Sequence, residues 1–427
     1  MRVELAYGTD GLVVDLPDGA TVVRPRHAAA VADVDDCLRA ALRTPVAGPP
    51  LRELVQRGNR IAVSICDLTR PQPREAMVRA LLAELAGVVT DADVTLLVAT
   101  GTHRGNTPDE LRLMLGDLVD RLEVINHDAR DAASLTWCGE HGAGVPVWLN
   151  RRWVEADVRI TTGFVEPHFF AGFSGGPKLV APGLAGLDTV LVLHDATRIG
   201  DPRATWGVCE GNPVHDDVRA IAAATGVTFA LDVVLDAGQQ ITAAFGGELL
   251  AMHSAAREHV RRSAMVAVPE PFDVVVTTNS GFPLDQNLYQ AVKGMSAAAT
   301  VVRPGGLIVM AAECRDGFPE HGDFRAEVTA ADTPAALLAN IAARERTVPD
   351  QWQVQVLARV LETARVGLYT TGLPPADIEA AHLVPVADVG AFVAEAVAEY
   401  TARLGRPATV CVLPEGPQTI PYLREDG

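Results

Sequence analysis

Apolar residues occur along this chain in short continuous runs that alternate with segments of helical periodicity. Three of these runs are bounded by polar residues: IAVSIC (61–66), VTLLVAT (94–100) and VRITTGF (158–164). Runs of this length are typical of strands buried on both faces of a parallel sheet. Short strands broken by turns are predicted over 2–24, further strands at 121–126 and 227–235, and helices at 31–43, 74–87, 215–224 and 247–262. Another apolar run, LDTVLVLHD (187–195), follows the third strand.

The pattern is interrupted at SAMVAVPEPFD (263–273), where two prolines separate two series of elements. Domain boundaries commonly fall in segments of this kind. Beyond it, strands are predicted at 273–281, 307–313, 367–371 and 409–414, and helices at 287–297, 334–345, 351–363 and 388–404. The sequence therefore predicts an α/β protein with two α/β domains and mostly parallel sheets. We expect residues 1–265 to form the N-terminal domain, residues 266–427 the C-terminal domain, and the active-site cleft to lie between them.

Charge and cysteine usage narrow the choice of partner and compartment. The formal net charge of −18 argues against nucleic acid or an anionic membrane surface as a partner, so we expect a small molecule. The start of the chain has no basic segment followed by an apolar run, and no stretch of about 18 uncharged apolar residues occurs, so neither a signal peptide nor a membrane span is expected. Six scattered cysteines without a CxxC pair favour the reducing cytoplasm over a disulfide framework or a zinc site.

Lysine is almost absent from the chain. Of the 36 basic residues only Lys178 and Lys293 are lysines, and arginine supplies the positive charge everywhere else. A lysine can be desolvated and made to react as an amine, whereas arginine stays charged. Two lysines that persist in such a chain, each beside other motif-like residues, indicate positions that need an amine or a compact ammonium.

Lys178 lies in the segment EPHFFAGFSGGPKLVAPG (166–183), whose glycines could surround an anion with backbone N–H groups. The segment is not a Walker A loop, and no GxGxxG follows a strand, so ATP and nicotinamide binding lack their usual support. Three histidines, His103, His168 and His194, follow or end apolar runs, where loop residues commonly face a ligand. An ordinary tight turn and backbone-bonded structural histidines remain the alternatives.

Two further segments combine polar groups suited to anions. Asp67 and Arg70 lie three residues apart in DLTRP, directly after a predicted strand, and could bind a phosphate or a carboxylate. A helix cap with a surface ion pair is the alternative. In NLYQAVKGM (287–295), Tyr289 and Gln290 lie four and three residues before Lys293, so the three share one helix face.

Taken together, these motifs resemble those of the nickel-dependent lactate racemase family. The resemblance covers most of the chain and rests on DLTRPQP near 70, TGTHR near 102, HFFAGFSGGPK with a histidine sixteen residues after the lysine, NLYQAVKGM near 290 and DQWQ at 350–353. The HxxAGFSGGxK segment is the most specific of them. We see no departure from the family pattern at these positions.

The resemblance implies a cofactor and a role for each motif residue. The cofactor is nickel held by a pyridinium-3,5-bisthiocarboxylic acid mononucleotide, tethered through a thioamide to the lysine that matches Lys178, with His194 as the protein ligand of the metal. His103 and His168 match the acid and base that act on opposite faces of the substrate. The remaining matches bind cofactor or substrate: Asp67, Arg70, Gln290 and Lys293 contact cofactor phosphate or the substrate carboxylate, and Tyr289 and Trp352 line the pocket with Arg70 and Lys293.

The expected function is thus racemisation or epimerisation at C2 of a 2-hydroxy acid, with lactate as the default substrate and cofactor-synthesis proteins as partners. Two alternatives remain at this stage. A 2-hydroxy-acid dehydrogenase could use the same histidines, and a non-catalytic carrier of the nickel cofactor would need only Lys178 and His194. The sequence does not identify the substrate side chain.

Overall fold

The computed structural model describes residues 1–26, 28–319 and 322–424 of the chain. Its strands are β1 (Arg2–Leu5), β2 (Leu12–Asp15), β3 (Thr21–Val22), β4 (Ile61–Cys66), β5 (Val94–Ala99), β6 (Glu123–Asn126), β7 (Leu135–His141), β8 (Val145–Asn150), β9 (Val158–Phe164), β10 (Pro167–His168), β11 (Gly172–Phe173), β12 (Phe229–Leu235), β13 (Ile241–Gly247), β14 (Met265–Val268), β15 (Phe272–Thr278), β16 (Val302–Ala311), β17 (Ala364–Tyr369), β18 (Val384–Pro385), β19 (Val410–Leu413) and β20 (Ile420–Leu423). Its α-helices are α1 (Val34–Arg43), α2 (Arg74–Leu85), α3 (Pro108–Leu115), α4 (Leu118–Arg121), α5 (Arg151–Val154), α6 (Leu187–Leu193), α7 (Ala196–Gly200), α8 (Pro213–Thr225), α9 (Leu249–Ala264), α10 (Leu288–Ala299), α11 (Phe324–Val328), α12 (Pro334–Ala342), α13 (Gln351–Thr363), α14 (Pro375–Ala380) and α15 (Val389–Leu404).

The chain divides into two compact units. The N-terminal unit comprises His27–His194 and Asp201–Arg261, and the C-terminal unit comprises Met1–Arg26, Asp195–Gly200 and Arg262–Gly427. The last boundary lies close to the expected one at 265. The division differs from the expected segments 1–265 and 266–427 in two places, because residues 1–26 and 195–200 group with the C-terminal unit.

The first 26 residues group with the C-terminal unit because of pairing and packing that are remote in sequence. Strand β3 pairs in parallel with β19, with Thr21 opposite Cys411. The β1–β2 hairpin contributes Val3, Leu5 and other buried side chains to the same hydrophobic core as β15, β16 and β19. A short strand carries no sequence signal for the sheet that it joins.

The N-terminal unit is built on a six-stranded sheet with the order β13-β12-β9-β4-β5-β6. All neighbours are parallel except β13, which runs antiparallel to β12 at the edge. Every residue of β4 is buried, which explains its continuous apolar sequence. The carboxyl ends of β4, β5 and β9 lie at one edge of this sheet, where α/β proteins commonly bind ligands.

The C-terminal unit has a second six-stranded sheet, with the order β18-β17-β16-β15-β19-β3 and all neighbours parallel. Its core includes Val274 and Val276 of β15, Leu307 and Val309 of β16, and apolar residues of α15. The predicted α/β class with mostly parallel sheets is confirmed. Within the described ranges, no helix is long and apolar enough to cross a membrane.

The apolar run after β9 forms a helix, α6, which sequence periodicity alone does not distinguish from a strand. The Thr189 hydroxyl of α6 accepts a hydrogen bond from the Trp148 N–H of β8 at 2.9 Å and donates one to the Pro146 carbonyl at 2.7 Å. These contacts fix the helix beside the β7–β8 hairpin. As a result His194, which immediately follows α6, lies at a helix C-terminus.

Replacing Leu96 by Ala tests the core of the N-terminal unit. Leu96 of β5 is fully buried in that core, so the substitution should lower the free energy of unfolding by about 2–5 kcal/mol. Urea denaturation followed by circular dichroism measures this. The matched control is Leu113→Ala on α3, where the side chain is 77% exposed and the change should stay within about 0.5 kcal/mol. Equal losses for the two variants would contradict this account of the core.

Candidate functional site

The first group of predicted residues meets at the carboxyl ends of β4 and β5. Asp67 directly follows β4, and His103 follows β5 by four residues. The two side chains are in contact, with 2.7 Å between His103 Nδ1 and Asp67 Oδ2. The Asp67 side chain is 4% exposed and the His103 side chain 47%, so the carboxylate forms the inner partner and the imidazole the accessible one.

Asp67 is held ionised in spite of its burial. Burial raises the pKa of its carboxyl, but the hydrogen bond and charge of His103, the charge of Arg70 and the hydrogen bond from Thr69 outweigh it and lower the pKa to about 2. An ionised carboxylate only accepts hydrogen bonds, so His103 Nδ1 carries the shared proton. Whenever the ring is neutral, its lone pair is therefore on Nε2. This is the orientation of a histidine prepared to act as a base.

The loop that carries Asp67 is fixed by Arg74, the first residue of α2. Its guanidinium donates to four backbone carbonyl groups, those of Cys66, Asp67, Arg70 and Gln72. The Gln72 side chain accepts from the Cys66 N–H at 2.7 Å and donates to Thr162 at 2.8 Å, which ties the loop to β9. The sequence analysis missed both residues. A cation at a helix N-terminus opposes the helix dipole, and that was a usable signal for Arg74.

Arg70 lies on the same loop and is half-buried. Its backbone N–H donates to the Asp67 carbonyl at 3.2 Å. Within residues 1–26, 28–319 and 322–424 its guanidinium makes no hydrogen bond or ion pair. A half-buried guanidinium whose N–H groups make no such contact in the described ranges suits an anionic ligand.

A second group of predicted residues surrounds the ring of Phe170. The His168 ring lies 4.6 Å from it and the His194 ring 5.3 Å, both measured between ring centroids in edge-on geometry. Lys178 Nζ lies 5.7 Å from the same centroid. The predicted attachment lysine, the predicted metal ligand and one predicted acid–base histidine are therefore brought together around one buried phenylalanine.

His194 is presented as a metal ligand would be. It follows α6 directly, is 8% exposed, and its Nδ1 lies 2.8 Å from the Val190 carbonyl oxygen one turn earlier. Because a carbonyl only accepts, Nδ1 carries the proton and Nε2 has the lone pair. Metal-binding histidines commonly have their second nitrogen held in this manner. No group of three or more His, Cys, Asp or Glu side chains that could hold a metal occurs within the described ranges, so the protein by itself offers no complete ligand set.

His168 has the opposite arrangement of ring nitrogens. It lies on β10 and stacks on Phe169 at 5.0 Å between centroids. The backbone N–H of Ala171 donates to its Nδ1 at 3.2 Å. A nitrogen that accepts a hydrogen bond carries no proton, so the neutral ring has its proton on Nε2. His103 and His168 are thus set as different tautomers.

The turn that carries Lys178 lies on two buried polar side chains, Asp232 and His253, which are called the buried polar layer below. Neither residue was predicted from the sequence. The Gly176 N–H donates to Asp232 Oδ2 at 2.7 Å, and His253 Nε2 donates to the Ser174 carbonyl at 2.8 Å. A Cβ at Gly175 would lie 2.6 Å from Asp232 Oδ2, and a Cβ at Gly176 would lie 2.5 Å from the His253 ring. Both glycines also have positive φ, so no other residue fits this turn. The carboxylate inside the apolar run of β12 was the available signal.

Burial governs the ionisation of this layer. Asp232 is fully buried, and burial raises the pKa of its carboxyl to about 7, against the one hydrogen bond from Gly176. Burial together with neighbouring positive charge, including that of Lys178, holds the pKa of His253 well below its usual value. At neutral pH the Asp232 carboxyl is therefore close to its titration midpoint, and the His253 ring is neutral.

The other predicted residues lie in the C-terminal unit and form two bonded pairs. On α10 Lys293 Nζ donates to Gln290 Oε1 at 2.7 Å, which confirms that the two share a helix face. The indole N–H of Trp352, on α13, donates to the Tyr289 hydroxyl at 3.1 Å. Each of these four side chains therefore has a hydrogen-bond partner within the C-terminal unit.

Comparisons with known proteins match most of the chain to one family. The lactate racemase N-terminal domain family matches residues 7–207, and the lactate racemase C-terminal domain family matches residues 268–420. The chain is 35% identical over 426 residues to the lactate racemase of Thermoanaerobacterium thermosaccharolyticum, covering 98% of this chain and 99% of that protein. It is 36% identical over 379 residues to the lactate racemase of Lactiplantibacillus plantarum, covering 88% of each.

Solved structures are similar over the same length. The lactate racemase apoprotein from Thermoanaerobacterium thermosaccharolyticum superimposes with a TM-score of 0.92 at 34% identity, covering 100% of both chains. A protein from Thermotoga maritima shares the fold with a TM-score of 0.64 at 18% identity, covering 92% of this chain and 97% of that one. Two family matches that span most of the sequence, and relatives aligned from end to end, lead to one conclusion: the chain belongs to the lactate racemase family and is an isomerase.

Proposed function

We propose that this protein interconverts the two configurations at C2 of a 2-hydroxy acid, with lactate as the first substrate to test. The observation that carries the proposal is the convergence of Lys178, His194 and His168 around Phe170 in the N-terminal unit. The relatives named lactate racemase support the same reaction. They favour it over a dehydrogenase, and the ordered Asp67–His103 pair favours it over a carrier, which has no need of an acid–base pair.

The residues around Phe170 fit a tethered nickel-pincer nucleotide. The Lys178 amine can form a thioamide, a bond that arginine cannot supply. His194 offers one imidazole Nε2 lone pair to a metal, and the tethered organic group would supply the remaining donors. Such a cofactor would not need a cluster of protein ligands, and the described residues offer none. Held by Lys178 and His194, it would supply hydride-transfer chemistry at C2 of the substrate.

The tautomers of His103 and His168 supply the proton chemistry. His103 presents a lone pair at Nε2, since Asp67 holds its Nδ1 proton, and this lone pair accepts the substrate hydroxyl proton. His168 presents an N–H at Nε2, since Ala171 donates to its Nδ1, and this N–H can donate a hydrogen bond to the substrate oxygen. The ring returns a proton to that oxygen from its imidazolium form, and it is then left as a neutral imidazole. At rest the two rings therefore offer the substrate oxygen one hydrogen-bond acceptor and one hydrogen-bond donor.

Cationic side chains are proposed to bind the anionic groups of substrate and cofactor. Arg70, a half-buried guanidinium, suits a carboxylate or a phosphate. Gln290 and Lys293 contribute an amide and an ammonium of the C-terminal unit, and Tyr289 with Trp352 lines the pocket.

The contacts of Asp67 favour a different role from the direct cofactor or substrate contact that the resemblance implies. Its oxygens bond to His103 and Thr69, so we assign it to orienting His103. We also propose a cytoplasmic location, where cofactor-synthesis proteins would load the enzyme.

Lys178→Arg should abolish cofactor attachment, since a guanidinium does not form the thioamide. Intact-mass spectrometry of protein produced together with the cofactor-synthesis proteins should show the bare polypeptide mass. Arg365→Lys, at an exposed ion pair with Glu399, is the control and should keep the adduct. An adduct that persists in Lys178→Arg would disprove the tether.

His194→Ala should reduce the nickel-to-protein ratio to background after dialysis against a chelator, because the imidazole is the proposed protein ligand. Metal analysis by mass spectrometry measures the ratio. His141→Ala removes a half-exposed imidazole of the same unit, bonded to the Cys138 carbonyl, and should leave the ratio unchanged. Equal nickel content in the two variants would remove His194 from the site.

Asp67→Asn should lower kcat by about 10²–10⁴-fold, the usual contribution of a positioned acid or base, because an amide no longer holds the His103 proton on Nδ1. Racemisation followed by chiral chromatography in both directions gives the rates. The pKa of Asp67 is about 2 in the folded protein and 3.8 in its ordinary state. Ionisation of Asp67 therefore stabilises the folded protein above pH 3.8, and this contribution to the free energy of unfolding is lost as the pH falls towards 2. Asp91→Asn, at an exposed ion pair, is the control and should retain wild-type activity.

A further inference from the structure

Polar residues interrupt the apolar runs of the two central strands of the N-terminal sheet. Ser64 lies within β4, and Thr161 and Thr162 lie within β9. All three residues are fully buried. A buried hydroxyl that lacks a hydrogen-bond partner is unfavourable, so the partners of these hydroxyls indicate what they contribute.

The Ser64 hydroxyl holds the short 3₁₀ helix that carries Lys178. Its Oγ donates to the Leu179 carbonyl at 2.8 Å, and Leu179 directly follows Lys178 at the end of that helix. The other end is held by Asp232 of β12, which accepts from the Gly176 N–H at 2.7 Å. Lys178 therefore projects from a turn whose two ends are bonded to buried side chains of β4 and β12.

The Thr162 hydroxyl connects the same strands to the loop that carries Asp67. It donates to the Ser64 carbonyl at 2.9 Å and accepts from Gln72 Nε2 at 2.8 Å. Gln72 is 3% exposed, and its Oε1 accepts at 2.7 Å from the N–H of Cys66, the residue before Asp67. Ser64, Thr162 and Gln72 are called the strand network below. The strand network reaches from the Lys178 turn to the Asp67 loop.

Thr161 shows that burial in β9 does not by itself give a hydroxyl a partner. Thr161 is as buried as Thr162, but its Oγ1 makes no hydrogen bond in the described part of the chain. Successive side chains of a strand point to opposite faces, so the two threonines meet different surroundings. Thr161→Val is therefore a matched control for Thr162→Val, because it removes an equally buried hydroxyl of the same strand.

We propose that Ser64, Thr162 and Gln72 are positioning residues for the proposed reaction. They hold the Lys178 turn and the Asp67 loop against the same two strands. The strand network thereby sets the separation between the proposed cofactor tether and the proposed base, which Asp67 orients. All of these residues belong to the N-terminal unit.

The proposal rests on the proposed roles of Lys178 and His103, and it adds how the two are kept in register. Transfer between a base, a substrate and a tethered group depends on their separation, and a displacement of 1 Å can cost about 10²-fold in rate. A fully buried hydrogen-bond network between two rigid strands is suited to limit such displacements.

The first test measures racemisation by full-length, cofactor-loaded Ser64→Ala, Thr162→Val and Gln72→Met. The kcat per Lys178 adduct should fall about 10–100-fold while KM stays nearly unchanged, because the groups proposed to bind the substrate are intact. Thr162→Ser keeps the hydroxyl and should restore most of the rate. Thr161→Val should match the wild type.

The second test measures backbone hydrogen exchange by mass spectrometry in the cofactor-free protein. Ser64→Ala should raise exchange about 2–10-fold in residues 174–183 and leave residues 66–74 unchanged, since one hydrogen bond to the turn is lost. Gln72→Met should have the converse effect. Thr161→Val should alter neither segment.

The outcomes separate this proposal from the proposed function. Wild-type kcat in Ser64→Ala and Gln72→Met, or an equal loss in Thr161→Val and Thr162→Val, would overturn the positioning role. Faster exchange spread over the whole unit would also overturn it, because that result indicates a general loss of stability.

An adduct that persists in Lys178→Arg would overturn the proposed tether, whereas the exchange results do not depend on cofactor content. If Thr162→Val fails to fold, Ser64→Ala, Gln72→Met and Thr162→Ser decide the matter through the same two measurements.

Discussion

The parallel register of β4 with β5 and β9 is the constraint on which the site depends. Cys66 pairs with Ala99, and Ile61 pairs with Val158, so all three strands end at the same edge of the N-terminal sheet. Asp67 and His103 follow two of these ends, and the segment that bears His168 and Lys178 follows the third. Residues up to about a hundred positions apart in the chain become neighbours because parallel strands must share an orientation. A slip of one residue in the pairing of β4 with β5 would move Asp67 away from His103.

Two buried carboxylates of the same unit show how environment assigns different tasks to one chemical group. Asp67 receives hydrogen bonds from His103 and Thr69 beside the charge of Arg70, and its pKa is about 2. Asp232 receives only the Gly176 N–H, and burial raises the pKa of its carboxyl to about 7. The first is an anion at neutral pH that orients the His103 imidazole, and the second titrates near neutral pH beneath the turn that carries Lys178. Proteins commonly give two carboxyl groups different pKa values, and so different functions, through their hydrogen-bond partners and their burial.

The hydrogen-bond partner of Nδ1 decides the tautomer of each of the three candidate histidines, His103, His168 and His194. A carboxylate at His103 and a carbonyl at His194 both accept a hydrogen bond from Nδ1–H and leave Nε2 with a lone pair, which suits the base proposed at His103 and the metal ligand proposed at His194. A backbone N–H at His168 has the opposite effect. The ring of Phe170 holds His168, His194 and the Lys178 ammonium at similar distances without competing for any of their polar atoms. The phenylalanine side chain has no polar atom, so the three groups lie close together without hydrogen bonding to it.

The sequence by itself determined the class of fold, several element ends and the identity of the candidate site residues. Buried strands such as β4 and β9 begin and end where their apolar runs do, because this signal is local. Lys178 stood out because lysine is so rare in the chain. Only the tertiary structure decided that residues 1–26 join the C-terminal sheet, that the run after β9 is a helix, and that Arg74 and Asp232 support the site. Pairing partners, burial and histidine tautomers are properties of contacts between distant segments, and no local pattern of residue types encodes them.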